Sequence, residues 1–369
     1  MKRALVIVLD SVGCGNAPDA AAFGDAGADT LGHLFERIPG FELPHLGSLG
    51  LYQILGLDLP ATIVEGASFT RLTELSAGKD TTTGHWELMG CALDEPFATF
   101  TEFPAEWVAE LSRRGGTGFI GNYAASGTEI LTALGEEHLR SGLPILYTSA
   151  DSVLQIAAHE EIFGLQRLWD LCKTARALLD EDGIRIGRVI ARPFVGNTKE
   201  TFKRTGNRHD YSMIPGENLL NRLQDRGVQT IGVGKISDIF ADRGISESHP
   251  TKSNHEGMQT IERLWAERRE QDHFIFANLV DFDSLYGHRR DPEGYAACLR
   301  EFDAWLGGFI PHVGPEDLVI LTADHGNDPY HPGTDHTREQ VPLMALGLPC
   351  PVAEGSFSQL ASWVDAAFS

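Results

Sequence analysis

The sequence predicts an α/β fold: a central, mostly parallel sheet flanked by helices, interrupted by a smaller inserted α/β domain. Three observations predict it. Apolar, strand-like runs at 4–9, 228–233, 274–280 and 317–321 suit strands buried on both faces. Helix-like stretches separate such runs in the first and last parts of the chain. Between Pro96 and Ser212 the texture changes, with Pro104, the Gly115-Gly116 pair and shorter strand-like runs breaking it up. The expected division is a core of residues 1–95 and 214–369 and an insertion of residues 96–213.

At 369 residues, 42% of them hydrophobic, the chain is long enough for two domains and a large core. Lys and Arg total 30 against 52 Asp and Glu, a net charge of -22. That balance argues against nucleic acid or an anionic membrane as partner. An anionic substrate stays possible if metal or local basic residues offset the field. Five scattered cysteines show no CxxC spacing, so reduced thiols and a cytoplasmic location are expected. The first apolar run stops at Asp10, too short for an export signal or a membrane span.

Taken in order, Ala4–Leu9 reads as a central strand that ends in Asp10. Residues 30–56 mix helix and loop around Pro39 and Pro44. Three threonines, Thr81 to Thr83, precede a helix-like segment. They place hydroxyls and backbone N–H groups at a helix N-terminus, which attracts anions; a plain threonine N-cap is the bland alternative. In the insertion, strand-like runs at 145–148 and 188–191 surround a helix expected at 165–179. Between Arg185 and Arg208 lie seven cations with only Glu200 opposing them, the composition of an anion site or of a solvated surface strand and loop. After Pro215 come a helix at 219–223, a strand at 228–233 followed by Lys235, and a strand at 274–280 leading to Asp281 and Asp283. A helix from Pro292, a strand at 317–321 and a last helix at 359–367 close the chain.

The densest stretch is Thr322-Ala-Asp-His-Gly-Asn-Asp-Pro-Tyr-His-Pro-Gly-Thr-Asp-His-Thr-Arg338. Three strands end in acids, at Asp10, at Asp281 or Asp283, and at Asp324, with His288, His325 and His336 close behind. Ligands in open α/β sheets collect at the carboxyl ends of strands. Carboxylates and imidazoles together suit Mn, Zn, Fe or Ni better than Ca. Six such groups exceed one tetrahedral zinc site and suit a pair of cations about 3.5–4 Å apart. Thr81, activated by such a pair at a helix N-terminus, could accept a phosphoryl group and pass it on.

The longer motifs carry a resemblance. Val8-Leu-Asp-Ser-Val-Gly13, Gly78-Lys-Asp-Thr81, Thr83-Gly-His-Trp86 and Ala125-Ser-Gly-Thr-Glu-Ile130 belong to it. So do Tyr147-Thr-Ser-Ala-Asp-Ser-Val-Leu-Gln155, Gly187-Arg-Val-Ile-Ala-Arg-Pro-Phe194 and Asn207-Arg-His-Asp210. Gly234-Lys-Ile-Ser-Asp238, Asn278-Leu-Val-Asp-Phe-Asp283, Gly287-His-Arg-Arg290 and residues 322–338 complete the set. Over nearly its whole length the chain resembles the phosphopentomutase family of the alkaline phosphatase-like metalloenzyme superfamily. The resemblance implies an alkaline phosphatase-like core and a cap domain that holds a sugar phosphate and closes over the site. It implies two Mn2+ ions, one on Asp283, His288 and His336, the other on Asp10, Asp324 and His325. Thr81 would be the phosphorylated nucleophile, loaded by a sugar bisphosphate activator. Ser149, Asp151, Val153, Arg188, Arg204 and Lys235 would contact the substrate. The reaction implied interconverts ribose 1-phosphate and ribose 5-phosphate, or the deoxy equivalents, and links nucleoside salvage to pentose phosphate metabolism. Cys14 and Thr82 depart from the family pattern. The rival readings are a cofactor-independent phosphoglycerate mutase, a phosphatase-like hydrolase, and a metal-loaded sugar-phosphate binding protein without turnover.

Overall fold

The first apolar run forms strand β1 (Arg3–Leu9), buried from Ala4 onward. A strand with no polar face needs cover on both sides. In the computed structural model, which describes residues 2–149, 152–267, 270–348 and 353–369, both neighbours of β1 come from the last third of the chain. The chain divides into two compact units, Met1–Glu95 with Pro215–Ser369, and Pro96–Ile214.

β2 (Ser68–Thr73) precedes the insertion. The inserted unit contributes β3 (Ile120–Ala124), β4 (Ile145–Thr148), β5 (Val153–His159), β6 (Arg188–Val195), β7 (Lys203–Arg204) and β8 (His209–Ser212). The first unit resumes with β9 (Gln229–Val233), β10 (Glu247–His249), β11 (His273–Leu279), β12 (Asp317–Thr322), β13 (Val341–Gly347) and β14 (Gly355–Ser356).

Among the described residues, the first unit builds an eight-stranded sheet in the order β10-β9-β11-β1-β12-β13-β2-β14. Neighbours from β10 through to β12 run parallel, while β13 is antiparallel to both β12 and β2. Leu9 pairs with Leu279, and Val8 with Thr322. Three chain segments therefore leave the sheet at one edge, and each carries an acid. The expected strands form with slightly different ends, and so do the expected helices, as Leu219–Asp225, Pro292–Phe309 and Ser358–Ala367. Cys14, Cys91, Cys172 and Cys298 are free thiols. Among the described residues no helix is long and apolar enough to cross a membrane.

The inserted unit has its own sheet, β3-β4-β5-β6-β7, with β8 also paired to β6. Leu154, Ile156, Val189 and Ala191 on one face pack against Leu111, Leu171 and Ala175 of the helices Ala105–Gly115 and Leu165–Glu181. The other face is partly covered by the helix Gly127–Ser141, whose Ile130 and Leu131 meet Ile145, Tyr147, Ala157 and Phe194. Sequence periodicity missed β5 because Gln155 and His159 interrupt its apolar run, yet all seven residues are buried. It also stopped β6 at 191, whereas the strand continues through Pro193 to Val195.

The helix Thr81–Leu88 docks against the end of β12. A methyl group at Gly84 would come within 2.1 Å of the Asp324 carbonyl oxygen. Alanine is intrinsically better than glycine in a helix by about 1 kcal/mol, but this overlap works the other way. Gly84→Ala is expected to lose about 1–2 kcal/mol net, seen as a lower melting temperature in calorimetry. An unchanged or higher melting temperature would mean that the helix is free to back away from β12.

Candidate active site

Asp10 follows β1 directly, Asp324 lies just past β12, and Asp283 sits in the wide helical turn Phe282–Gly287 after β11. Asp10, Asp324 and His325 are almost wholly buried, and Asp283 nearly so. Asp10 Oδ1 and Asp324 Oδ2 lie 3.5 and 3.4 Å from His325 Nε2. Asp283 lies 3.1 Å from His288 Nε2 and 3.6 Å from His336 Nε2. Two groups bring all their ligand atoms within 4.8 Å of one another: Asp10, Asp324 and His325, and Asp283, His325 and His336. The first group is the one implied by the motifs, and the second shares Asp283 and His336 with the other implied set. His325 belongs to both tight groups, and the more exposed His288 stands at the rim of the second.

Two observations show that these residues fit divalent cations. Asp10 Oδ1 and Asp324 Oδ2 are buried with no hydrogen-bond partner, a costly state for a carboxylate oxygen unless a cation satisfies it. The imidazoles make the second. His288 Nδ1 faces the Thr334 carbonyl at 2.7 Å, His325 Nδ1 that of Gly326 at 3.0 Å, and His336 Nδ1 that of Lys79 at 3.1 Å. Each Nδ1 therefore carries the proton and donates it, leaving the Nε2 lone pair for a metal. His288 and His336 then turn two Nε2 acceptors toward each other at 3.2 Å, which only a shared cation or an extra proton can reconcile.

The electrostatics follow from crowding. Burial, then the Asp324 and Asp283 charges, push the Asp10 carboxyl up to about 7. Burial disfavours a charged His325, but Asp324, Asp10 and Asp283 outweigh it and raise the imidazole to about 9. Burial also opposes the Asp283 charge, and the imidazoles of His288 and His336 overcome it, holding that carboxyl well below its usual range.

Thr81 opens its helix, with Oγ1 3.2 Å from His325 Nε2. The N-cap is Asp80 rather than a threonine, and its side chain accepts from the N–H groups of Thr82 and Thr83. Those two N–H groups, expected to be open to an anion, are thus occupied. The Thr83 hydroxyl is held by Asp80, so Thr81, not Thr83, presents its hydroxyl to the imidazole. Asp281 separates from Asp283: it accepts from Asn254 N at 2.7 Å. His331 and Asp335 lie instead beside Asp25 and Lys79.

Several supporting residues escaped the sequence reading. Asn278 donates to Asp10 Oδ2 at 2.9 Å and faces His85 Nε2 at 3.2 Å. His85 Nδ1 meets the Thr81 carbonyl at 2.8 Å. It also passes 3.1 Å from Asp324 Oδ2, but its single proton goes to the carbonyl. Asn327 donates to Asp283 Oδ1 at 2.7 Å. Arg338, buried, bonds Glu74 Oε2 at 2.7 Å and the Gly78 carbonyl at 2.5 Å, tethering the segment before Thr81. The available signal was Asn278, a lone amide in the apolar run of β11.

Of the expected substrate contacts, Val153 opens β5 and pairs with Arg188 at the start of β6. Ser149 leads out of β4, Arg204 lies on β7, and Lys235 follows β9 in the first unit. Asp151 lies outside the described residues.

The Metalloenzyme superfamily model matches residues 2–361. A phosphopentomutase of Symbiobacterium thermophilum is 52% identical over 352 residues, 95% of this chain and 89% of that protein. The chain belongs to the phosphopentomutase family. A second phosphopentomutase, from Syntrophotalea carbinolica, is 51% identical over 346 residues, 93% of this chain and 87% of the relative. A solved Pyrococcus horikoshii structure covers 100% of this chain and 97% of its own with a TM-score of 0.52 at 13% identity, a likeness of fold. As a member of this family the chain is an isomerase that works by phosphotransfer, and it carries groups suited to divalent metal.

These shifts fix the sign of a pH effect. In metal-free protein Asp10 titrates near 7 rather than 3.8 and His325 near 9 rather than 6.5. Both raised values mean that the folded state binds extra protons, so their stabilisation is lost as pH rises, for His325 between about 6.5 and 9. Chelator-treated protein should therefore melt at progressively lower temperature from pH 6.5 to 9. Added Mn2+ should raise the melting temperature most at the alkaline end, where the ligands are deprotonated. A flat profile that ignores the cation would remove the metal assignment.

Proposed function

We propose that the chain interconverts ribose 1-phosphate and ribose 5-phosphate, and the 2-deoxyribose equivalents, through phosphothreonine at Thr81 and a 1,5-bisphosphate. The observation that carries this reading is the Thr81 hydroxyl at the start of its helix, 3.2 Å from His325 beside two carboxylate–imidazole groups. In the forward half, the free sugar hydroxyl attacks the phosphorus on Thr81; its bond to phosphorus forms as the P–Oγ bond breaks, and its proton passes to the departing Oγ. In the return half, Thr81 Oγ attacks the other phosphate of the bisphosphate; the bond from that phosphorus to the sugar oxygen breaks, and the Thr81 proton passes to the freed sugar hydroxyl. The positive end of the helix that Thr81 opens stabilises the charge on Oγ when it leaves. Asp283, His288 and His336, and Asp10, Asp324 and His325, would hold two Mn2+ ions, which supply charge to polarise the phosphoryl oxygens. Ser149, Asp151, Val153, Arg188, Arg204 and Lys235 would orient the sugar phosphate. Water must be kept from the phosphothreonine, because hydrolysis is what separates a phosphatase from a mutase. A sugar bisphosphate would load Thr81 at first turnover. In this reading the enzyme serves nucleoside salvage in the cytoplasm.

The test is a phosphorus NMR time course with Mn2+, a trace of sugar bisphosphate and ribose 1-phosphate. Ribose 5-phosphate should accumulate, and Thr81→Val should lower the rate by at least about a thousand-fold, as expected when a covalent nucleophile is removed. Accumulation of free phosphate in its place would mark a hydrolase. Normal turnover by the variant would remove Thr81 from the mechanism.

A further inference from the structure

The face of the inserted sheet that the helix Gly127–Ser141 partly covers also carries three arginines. Parallel register pairs Val153 with Arg188 and Ala157 with Arg192, and antiparallel register pairs Tyr147 with Gln155 and Phe194 with Arg204. Directly paired residues share a face and side chains alternate along a strand. Tyr147, Gln155, Arg188, Arg192 and Arg204 therefore project from the same face, beside the helix Gly127–Ser141.

Arg188 faces Asp210 at 3.7 Å, but what holds Arg192 and Arg204 differs from what holds other arginines in the same unit. Arg113 and Arg114 bond Glu110, Arg176 bonds Asp180, and Arg208 takes Asp210 with both arms. Arg192 donates through Nε to the neutral Gln155 Oε1 at 3.0 Å. Arg204 donates through Nη2 to the neutral Tyr147 hydroxyl at 3.1 Å. Neither is in an ion pair among the described residues, and Arg204 Nε is buried with no partner. Gln155 and Tyr147 are themselves buried, so both are fixed props. The Arg204 guanidinium also lies against Gly127, where a methyl group would fall 1.1 Å from Nη2. A cation at a helix N-terminus opposes the helix dipole. Burial, then Arg208 and Arg204, hold the Arg192 guanidinium below its ordinary value. Asp210 is the acidic neighbour of Arg192, yet among the described residues both guanidiniums are held by neutral props, in a chain whose net charge is -22.

We propose that Arg192 and Arg204 form a two-guanidinium clamp for a phosphate monoester dianion, with Gln155 as the positioning residue of Arg192. The ligand class is the phosphate of the sugar phosphate, in the part of the reading that concerns substrate contacts, and the assignment adds Arg192 and Gln155 to them. Two guanidiniums can each offer paired N–H donors to one phosphate, a match that lysine cannot make. The Gln155 amide aims the first fork without neutralising it.

Calorimetric titration with ribose 5-phosphate tests this independently of turnover, with free ribose as the control. Arg192→Gln should weaken binding of ribose 5-phosphate about ten- to hundred-fold, the range of a lost charged hydrogen bond. Gln155→Leu should weaken it less, and Gly127→Ala should weaken it by displacing Arg204. In steady-state assays the Arg192→Gln effect should fall on KM more than on kcat. Melting curves identify any variant that fails to fold, and the remaining two then decide. Folded Arg192→Gln and Gln155→Leu proteins that bind ribose 5-phosphate as tightly as the parent would overturn the clamp. If the parent binds the sugar phosphate but does not isomerise it, the mutase reading fails while the clamp is still measured.

Discussion

Everything at the sheet edge answers to one constraint: three carboxylates converge where water is largely excluded. Asp10 and Asp324 each keep an oxygen with no donor, and Asp10 is pushed up to about 7 by burial and by its acidic neighbours. Left alone, such a cluster would take up protons or distort. Cations resolve it, and the surrounding groups are arranged for that. Backbone carbonyls fix the tautomer of all three imidazoles, and Asn278 and Asn327 each steady one carboxylate from behind. The same charge that destabilises the empty cluster is what makes it a strong ligand set.

The nucleophile is organised by a different set of contacts. Asp80 caps its helix, His85 holds the Thr81 carbonyl, and Arg338 ties down the Gly78 carbonyl just before it. His85 in turn faces Asn278, which touches Asp10. A hydrogen-bonded path thus runs from a metal-ligand candidate to the peptide of Thr81 without using the Thr81 side chain. The hydroxyl is left facing His325 while its backbone is held.

Much of this was legible in the chain. Apolar runs ending in Asp10, Asp283 and Asp324 announced strands that deliver acids to one edge, because a parallel sheet aligns its carboxyl ends. What stayed hidden depended on distance rather than order. Asp281 and Asp283 are equivalent in sequence, and only the turn after β11 sends one to Asn254 and the other to the imidazoles. His325 stands within reach of both groups, a fact of ring stacking with His336 at 4.0 Å. The cap at Asp80 was not legible because the three threonines that follow it are cap residues too, and a carboxylate caps equally well. β5 was missed because its polar residues point into a buried face, where Gln155 serves an arginine instead of breaking a strand.

The place of β1 in the sheet has a consequence for biosynthesis. It leaves the ribosome before β11 and β12, yet its two hydrogen-bonding edges belong to those strands. Until residue 322 has been made, this strand, apolar from Ala4 onward, keeps at least one open edge, the state most prone to pairing with a neighbouring chain. The inserted unit is contiguous, so it can close its own core while the flanking unit waits. Newly made chains therefore pass through a stage with a finished insertion and an unfinished catalytic half, and shelter for β1 during translation is the demand that this topology places on the cell.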